Sequence, residues 1–228
     1  MKNDVVGIIC ALQNEADSLV SDLTDATCET LFGMDFTYGK LCGKSVVVAV
    51  SGVGKVFSAR CTQTMIMRYS PREIINSGAA GAISPELKIY DIVIASKLVQ
   101  HDFDTTLMGE PLGCIINGSP YLPMTERLTK AFSECSDKLG YPCRIGTLAT
   151  GDQFIGGDEV KQRIFGNFGA IACDMEGAAI GTVCYTAGVD CAVMRCISDS
   201  GNGTEYSEFS KNAAKRSCDV IKEYLKTK

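Results

Sequence analysis

Asp199 closes the run Met194-Arg195-Cys196-Ile197-Ser198-Asp199 and is followed by Ser200-Gly201-Asn202-Gly203. A short apolar strand that stops at a carboxyl group and enters a glycine-rich turn presents a proton donor or acceptor at the rim of a sheet, where α/β proteins hold ligands. The same pattern also caps helices and satisfies turns, so its meaning depends on its company. Glu15 follows an apolar run that ends at Ala11-Leu12, and Glu176 follows another in Cys173-Asp174-Met175-Glu176, just before the small residues Gly177-Ala178-Ala179. Each of these acids has an alternative role at a helix start, complementing the helix dipole. The glycine-containing segments Ser51-Gly52-Val53-Gly54-Lys55 and Asn76-Ser77-Gly78-Ala79-Ala80-Gly81 read as further turns after strands. Glycine allows a ligand to approach the backbone there, and free amides can bind its oxygens. Neither segment matches the dinucleotide fingerprint or the P-loop. Acids at several strand ends, combined with such turns, suit a sugar-plus-base ligand better than a polyphosphate.

The elements that must position these groups alternate in type. Strand-like runs occupy residues 5–12, 37–38, 45–50, 73–76, 91–98, 144–150, 170–173 and 191–197, several of them apolar on both faces, as central strands of a covered sheet must be. Helical periodicity falls at 15–23, 56–69, 125–139, 158–165, 176–187 and 207–225. The alternation predicts α/β class: a single-domain, three-layer α/β/α sandwich around a mixed, mostly parallel central sheet, spanning residues 1–228. No linker or internal repeat interrupts it, and the mobile pieces are expected at 108–120 and 200–207.

With 228 residues, 46% of them hydrophobic, the chain can bury a large core. Its apolar runs are too short to span a bilayer, and the start shows no signal-peptide pattern. A net charge of −5 without a basic stripe excludes nucleic-acid binding as the main task. Most of the 12 cysteines lie in apolar runs, no CxxC occurs, and there is one histidine, His101. Reduced, buried thiols in a cytoplasmic protein fit better than a disulfide scaffold or a zinc site. His101 is expected to be structural or to lie at an interface.

Segments 7–15, 51–56 and 74–81, with His101-Asp102, Thr150-Gly151-Asp152-Gln153-Phe154-Ile155, Asp174-Met175-Glu176-Gly177-Ala178-Ala179-Ile180 and 195–199, jointly carry a resemblance. In that order and spacing the chain resembles the purine nucleoside phosphorylase/uridine phosphorylase superfamily, nucleoside phosphorylase-like in fold. Within it, the chain is most similar to the bacterial 5′-methylthioadenosine/S-adenosylhomocysteine nucleosidases. The resemblance covers nearly the whole chain. It implies hydrolysis of the N-glycosidic bond of one or both nucleosides, releasing adenine and a 5-thioribose, without metal or organic cofactor. It also implies a homodimer in which residues 101–113 reach the neighbouring site, so that Leu107 and Met108 line an apolar 5′ pocket. Carried over by position, Asp199 faces N7 and the exocyclic amine of adenine, supported by Ser198, while Glu15 deprotonates the attacking water. Arg195 positions the water and nearby carboxylates. Glu176 takes the ribose hydroxyls with Met175 beside the sugar, Phe154 stacks on the purine, and the Ile155 backbone reads its edge. Phe209 covers the base as a lid, with Tyr206 a second candidate for that place, and Val53 and Ala79 complete the substrate contacts.

The chemistry calls for these types. Breaking the bond builds positive charge on ribose and negative charge on the departing purine, so an acid at N7 and carboxylates near the sugar both help. Asp199 must then hold a proton near neutral pH while Glu15 stays ionised, which requires different surroundings. Phosphorolysis is the competing chemistry on this fold. A phosphate dianion needs fixed cations, yet the turn Leu12-Gln13-Asn14-Glu15 and residues 76–81 contain no basic residue. Lys55 is the one cation near these turns and reads as a solvated helix-start lysine.

Three departures bear on substrate: Asp174 stands where the family usually has Glu, Ala79 replaces a Ser, and residues 101–113 lack an aromatic-rich pattern. The alternatives are a hydrolase of another 5′-modified nucleoside such as futalosine, a purine nucleoside phosphorylase, and a non-catalytic nucleoside-binding protein.

Overall fold

Strand β1 (Asn3–Cys10) shows how the sheet is built. Val6, Ile8 and Cys10 belong to one buried cluster, and Val5 and Ile9 to another. Side chains alternate across a strand, so a run that is apolar at nearly every position has two faces to bury. A computed structural model describing residues 3–116 and 118–228 shows what covers them. On one face lie α2 (Lys55–Tyr69) and α5 (Gly177–Ala187); on the other lie α1 (Gln13–Val20), α3 (Glu126–Lys138) and α6 (Gly203–Lys226). A further helix, α4 (Asp158–Phe168), packs on a smaller cluster with Ile164 and Phe168 inward. The result is a three-layer α/β/α arrangement.

The remaining strands are β2 (Thr24–Leu31), β3 (Met34–Leu41), β4 (Lys44–Val50), β5 (Pro71–Ala82), β6 (Ile92–Gln100), the short β7 (Leu122–Pro123), β8 (Cys143–Thr150), β9 (Ala170–Asp174) and β10 (Asp190–Asp199). The sheet is mixed. β1 pairs in parallel with β4 and β5, β5 with β10, and β8 with β6 and β9, whereas β5–β9, β6–β10 and the β2–β3–β4 meander are antiparallel. Because β5 pairs with both β10 and β9, the path β5–β10–β6–β8–β9 returns to its start and closes part of the sheet into a ring.

Several extents differ from the sequence reading: β3, read as residues 37–38, runs over Met34–Leu41, and the short β7 was not read. β2 was not anticipated: nearly all of its residues face solvent, so it has no apolar alternation to read. The expected turn at residues 76–81 is strand, the second half of β5, paired along its length with Met194–Asp199. Its small residues leave room for side chains that lie over it. Most of the segment 200–207, expected to be mobile, is the first turns of α6, started by Asn202, whose side chain accepts from the Thr204 N–H at 2.9 Å.

Candidate active site

Glu15 is at the third position of α1, and its carboxylate folds back over the helix start. Oε2 accepts from the Ala11 and Leu12 N–H groups at 3.0 Å each, and Oε1 accepts from the Ala79 N–H at 3.0 Å. The helix-start role and the site role are therefore one arrangement: the N-terminal amides that need a partner fix the carboxylate, at 7% exposure, over β5. A Cβ on Gly78 would lie 2.7 Å from Glu15 Oε1. Glycine at 78 is thus a matter of space for an acid, not of turn geometry.

Asp199 ends β10 at 2% exposure. Its Oδ2 accepts from the Ser198 hydroxyl at 2.8 Å and its Oδ1 from the Gly201 N–H at 2.8 Å. Gly81 is register partner to Asp199 on one side and to Cys173 on the other. Ring closure at Gly81 is what brings Asp199 beside the segment Cys173-Asp174-Met175-Glu176.

In that segment the two acids divide. Asp174 points down to Arg195, whose Nη2 stands 2.6 Å from Asp174 Oδ2, and it accepts from the Thr150 hydroxyl at 2.5 Å and the Gly177 N–H at 3.1 Å. Thr150 Oγ1 in turn accepts from the Ala178 N–H at 2.8 Å, so two of the free amides at the start of α5 are satisfied from β8 and β9. Glu176 turns the other way and accepts from the Gly54 N–H at 2.9 Å, with Arg195 Nη2 at 3.9 Å. Burial, then the nearby Asp174 carboxylate, push Glu176 up to about 7, against the lowering effect of Arg195 and the Gly54 amide.

These groups share a cleft enclosing about 570 Å³ and open to solvent. Of the expected residues, Glu15, Val53, Ala79, Phe154, Ile155, Met175, Glu176, Ser198 and Asp199 line it. Phe154 is half exposed at its mouth and meets the Tyr206 ring edge-on at 5.8 Å. Arg195, at 1% exposure, lies beneath the cleft, held by Asn76 Oδ1 at 2.5 Å and Asp174; it faces the carboxylates, as expected, and does not border the ligand space. Phe209 is a correction: it packs edge-on against Tyr90 at 5.9 Å, and of the two rings expected as a lid it is Tyr206, one turn earlier in α6, that lines the cleft. Three 100° steps leave the two side chains only about 60° apart around the helix, so a sequence window does not choose between them. Leu107 and Met108 stand out from the surface, away from this chain's cleft. Lys55 is not a solvated lysine: its Nζ is 2.6 Å from Asp102 Oδ1, and Asp102 Oδ2 accepts from the Asp152 N–H at 2.9 Å.

Cys173, Gln153 and Gly81 also line the cleft and were not singled out, because nothing in an apolar or polar neighbour marks which face it will take. Burial pushes the Cys173 thiol up to about 12, so it is an inert wall. His101 has its Nε2 buried with no hydrogen-bond partner, against Gly151, where a Cβ would lie 2.3 Å from it. Burial holds its imidazole below the usual range. Among the described residues no cluster of His, Cys, Asp and Glu has the geometry of a metal site, and no helix is long and apolar enough to cross a membrane.

The profile of the Phosphorylase superfamily matches residues 5–226. The chain belongs to the phosphorylase superfamily. Its similarity within that superfamily is to hydrolases. A 5′-methylthioadenosine/S-adenosylhomocysteine nucleosidase of Shewanella sp. (strain W3-18-1) is 37% identical over 212 residues, 92% of each chain. Among solved structures, the S-adenosylhomocysteine nucleosidase of Streptococcus pyogenes in complex with 5-methylthiotubericidin superposes with a TM-score of 0.95 at 30% identity, covering 100% of this chain and 98% of that one. The futalosine hydrolase of Helicobacter pylori strain 26695 superposes with a TM-score of 0.94 at 31% identity, covering 99% and 98%. This superfamily member thus has relatives that share its architecture and differ in the nucleoside named for them.

Proposed function

We propose that this chain hydrolyses the N-glycosidic bond of 5′-methylthioadenosine, S-adenosylhomocysteine or both, releasing adenine and the 5-thioribose. The observation that carries it is the convergence of Glu15, Glu176 and Asp199 on one cleft with an aromatic ring, Phe154, at its mouth. Asp199, oriented by Ser198 and the Gly201 amide, donates a proton to N7 as the bond lengthens, and Phe154 stacks on the base. Glu15, fixed by three amides, takes the proton of a water that attacks the sugar carbon. Glu176 accepts from the ribose hydroxyls, and its charge favours the cationic sugar of the transition state. Arg195, beneath the cleft, neutralises Asp174 in its wall, so the three working acids are not joined by a fourth unpaired charge.

Water rather than phosphate is the nucleophile. Among the described residues, those lining the cleft include no Lys, Arg or His. A phosphate dianion placed beside Glu15 would meet repulsion with no fixed cation to offset it. We also propose a cytoplasmic homodimer. The free state of all 12 cysteines supports a reducing compartment, and the exposure of Leu107 and Met108 supports their use on a partner subunit. Free-base release should be measured in phosphate-free buffer: adenine from methylthioadenosine, adenosylhomocysteine and adenosine, and hypoxanthine from inosine and futalosine. The two thio-nucleosides should be the best substrates, and Asp199→Asn should lose about 10²- to 10⁴-fold in rate while still binding nucleoside. Base release that requires phosphate, or a preference for futalosine, would overturn the assignment. Light scattering on the purified chain tests the dimer.

A further inference from the structure

Ser200, the residue after Asp199, has every polar atom held by a charged side chain from another element. Its N–H and its hydroxyl both donate to Glu205 Oε2, at 2.8 Å each, from the first turn of α6. Its carbonyl accepts from Lys161 Nζ, which comes from α4. The next residue, Gly201, has φ +82°, and its N–H is the one that binds Asp199 Oδ1. A Cβ at Gly201 would lie 2.8 Å from Lys161 Cε and 2.9 Å from the Ile155 carbonyl. The lysine stem and the loop that carries Phe154 and Ile155 therefore close on one face of the turn.

The other side of this turn is poorly supported. An open groove lined by Ala82, Ile83, Ser84, Phe165, Lys161 and Ser200 runs behind it. A glycine-rich turn with little packing behind it is free to shift unless side chains tie it down. Lys161 and Glu205 face each other across Ser200. The Ser200 amide and hydroxyl hold the Glu205 carboxyl below the usual range, and the Lys161 charge adds to this.

We propose that Lys161 and Glu205 form a clamp on Ser200 that sets the direction of the Asp199 carboxyl group, making Lys161 a positioning residue for proton donation to the departing base. The proposal rests on the hydrolase reading above. Since α4 begins just after the Phe154–Ile155 loop, the clamp also couples the element that grips the base to the element that protonates it.

The test compares Lys161→Met, Lys161→Arg and Glu205→Ala with wild type, using methylthioadenosine and 4-nitrophenyl β-D-ribofuranoside. The nitrophenolate leaves without needing a proton, so its release does not depend on the aim of Asp199. Lys161→Met should lose about 10- to 100-fold in kcat for the nucleoside, as a group misplaced by about 1 Å does, with KM little changed and aryl riboside hydrolysis spared. Lys161→Arg, which can still donate to the Ser200 carbonyl, should recover most of that loss. Glu205→Ala should show the same split between substrates, and it carries the test if Lys161→Met does not fold. Wild-type kcat in the Lys161→Met and Glu205→Ala enzymes, or equal losses on both substrates, overturns the clamp. If Asp199→Asn is inactive while Lys161→Met behaves as wild type, the clamp is wrong and the hydrolase reading stands. If the wild-type protein releases base from no nucleoside, that reading itself falls.

Discussion

Gly78→Ala separates the demands of the fold from those of the site. The added Cβ would meet Glu15 Oε1 at 2.7 Å, Cδ at 3.1 Å and Oε2 at 3.2 Å. Relaxed carbon–oxygen contacts begin near 3.3 Å, so relief needs a shift of roughly 0.5–1 Å. The β5 backbone is paired at this point with Arg195 in β10, which leaves the carboxylate as the part that gives. Its move forfeits the Ala79 N–H bond, a charge-assisted interaction of about 1.5–3 kcal/mol. Replacing glycine where the backbone tolerates alanine returns about 0.4–1 kcal/mol. The net cost, on the order of 1–2 kcal/mol, lowers the melting temperature by about 2–8 °C and leaves the protein folded at 25 °C. The base is then out of place, and about 10²-fold in kcat/KM should be lost. Adenine release and a thermal melt on the same preparation read both numbers. As a control, Gly166→Ala in α4, where an added Cβ meets nothing within 4 Å, should keep full activity. A folded Gly78→Ala protein with wild-type kcat/KM would refute the assignment of Glu15 as the base and the steric reason for Gly78 together.

Glu176, pushed up to about 7, ties binding to pH. Its ionised form accepts the ribose hydroxyls, so KM should fall as pH rises from about 6 to about 8, and Glu176→Gln should abolish that inflection. The stability sign is opposite. A raised folded-state value favours the protonated native form, so this contribution is complete below the ordinary carboxyl range and is lost as pH rises through about 7; melts across that window check it. Thr150→Val removes an acceptor for Ala178 N–H and a donor to Asp174 in a buried site, and should destabilise by about 1–3 kcal/mol in denaturant titration. In a thiol titration of the native protein, Cys28 and Cys42 should react first, since they are the exposed cysteines and most of the others are buried.

Much of the architecture was readable because covered strands must be apolar on both faces. β1, β4, β6, β8, β9 and β10 were all found from such runs, and α1 to α6 from their periodicity. β2 escaped because an exposed edge strand has no buried face and carries mostly polar residues. The second half of β5 escaped for the opposite reason: glycine and alanine signal a turn when the space they leave is not visible. Glu15, Glu176 and Asp199 were legible as acids at element ends. Phe209 was misplaced because Tyr206 is three residues away on the same helix, and only packing selects between them.

Residue order alone determined most of the buried stretches, the existence of the helices, and which carboxyl groups stand at element ends, because burial and capping are local demands on residue type. The tertiary structure decided which of those groups meet. Gly81 pairs with Asp199 and with Cys173 only because the sheet closes on itself. Asp174 becomes a counter-ion and Glu176 a ligand acceptor only because Arg195 lies beneath one and the Gly54 amide beside the other. Register and ring closure join residues far apart in the chain, and their physical cause is the pairing of backbone groups and the filling of space, which no local pattern of residue types encodes.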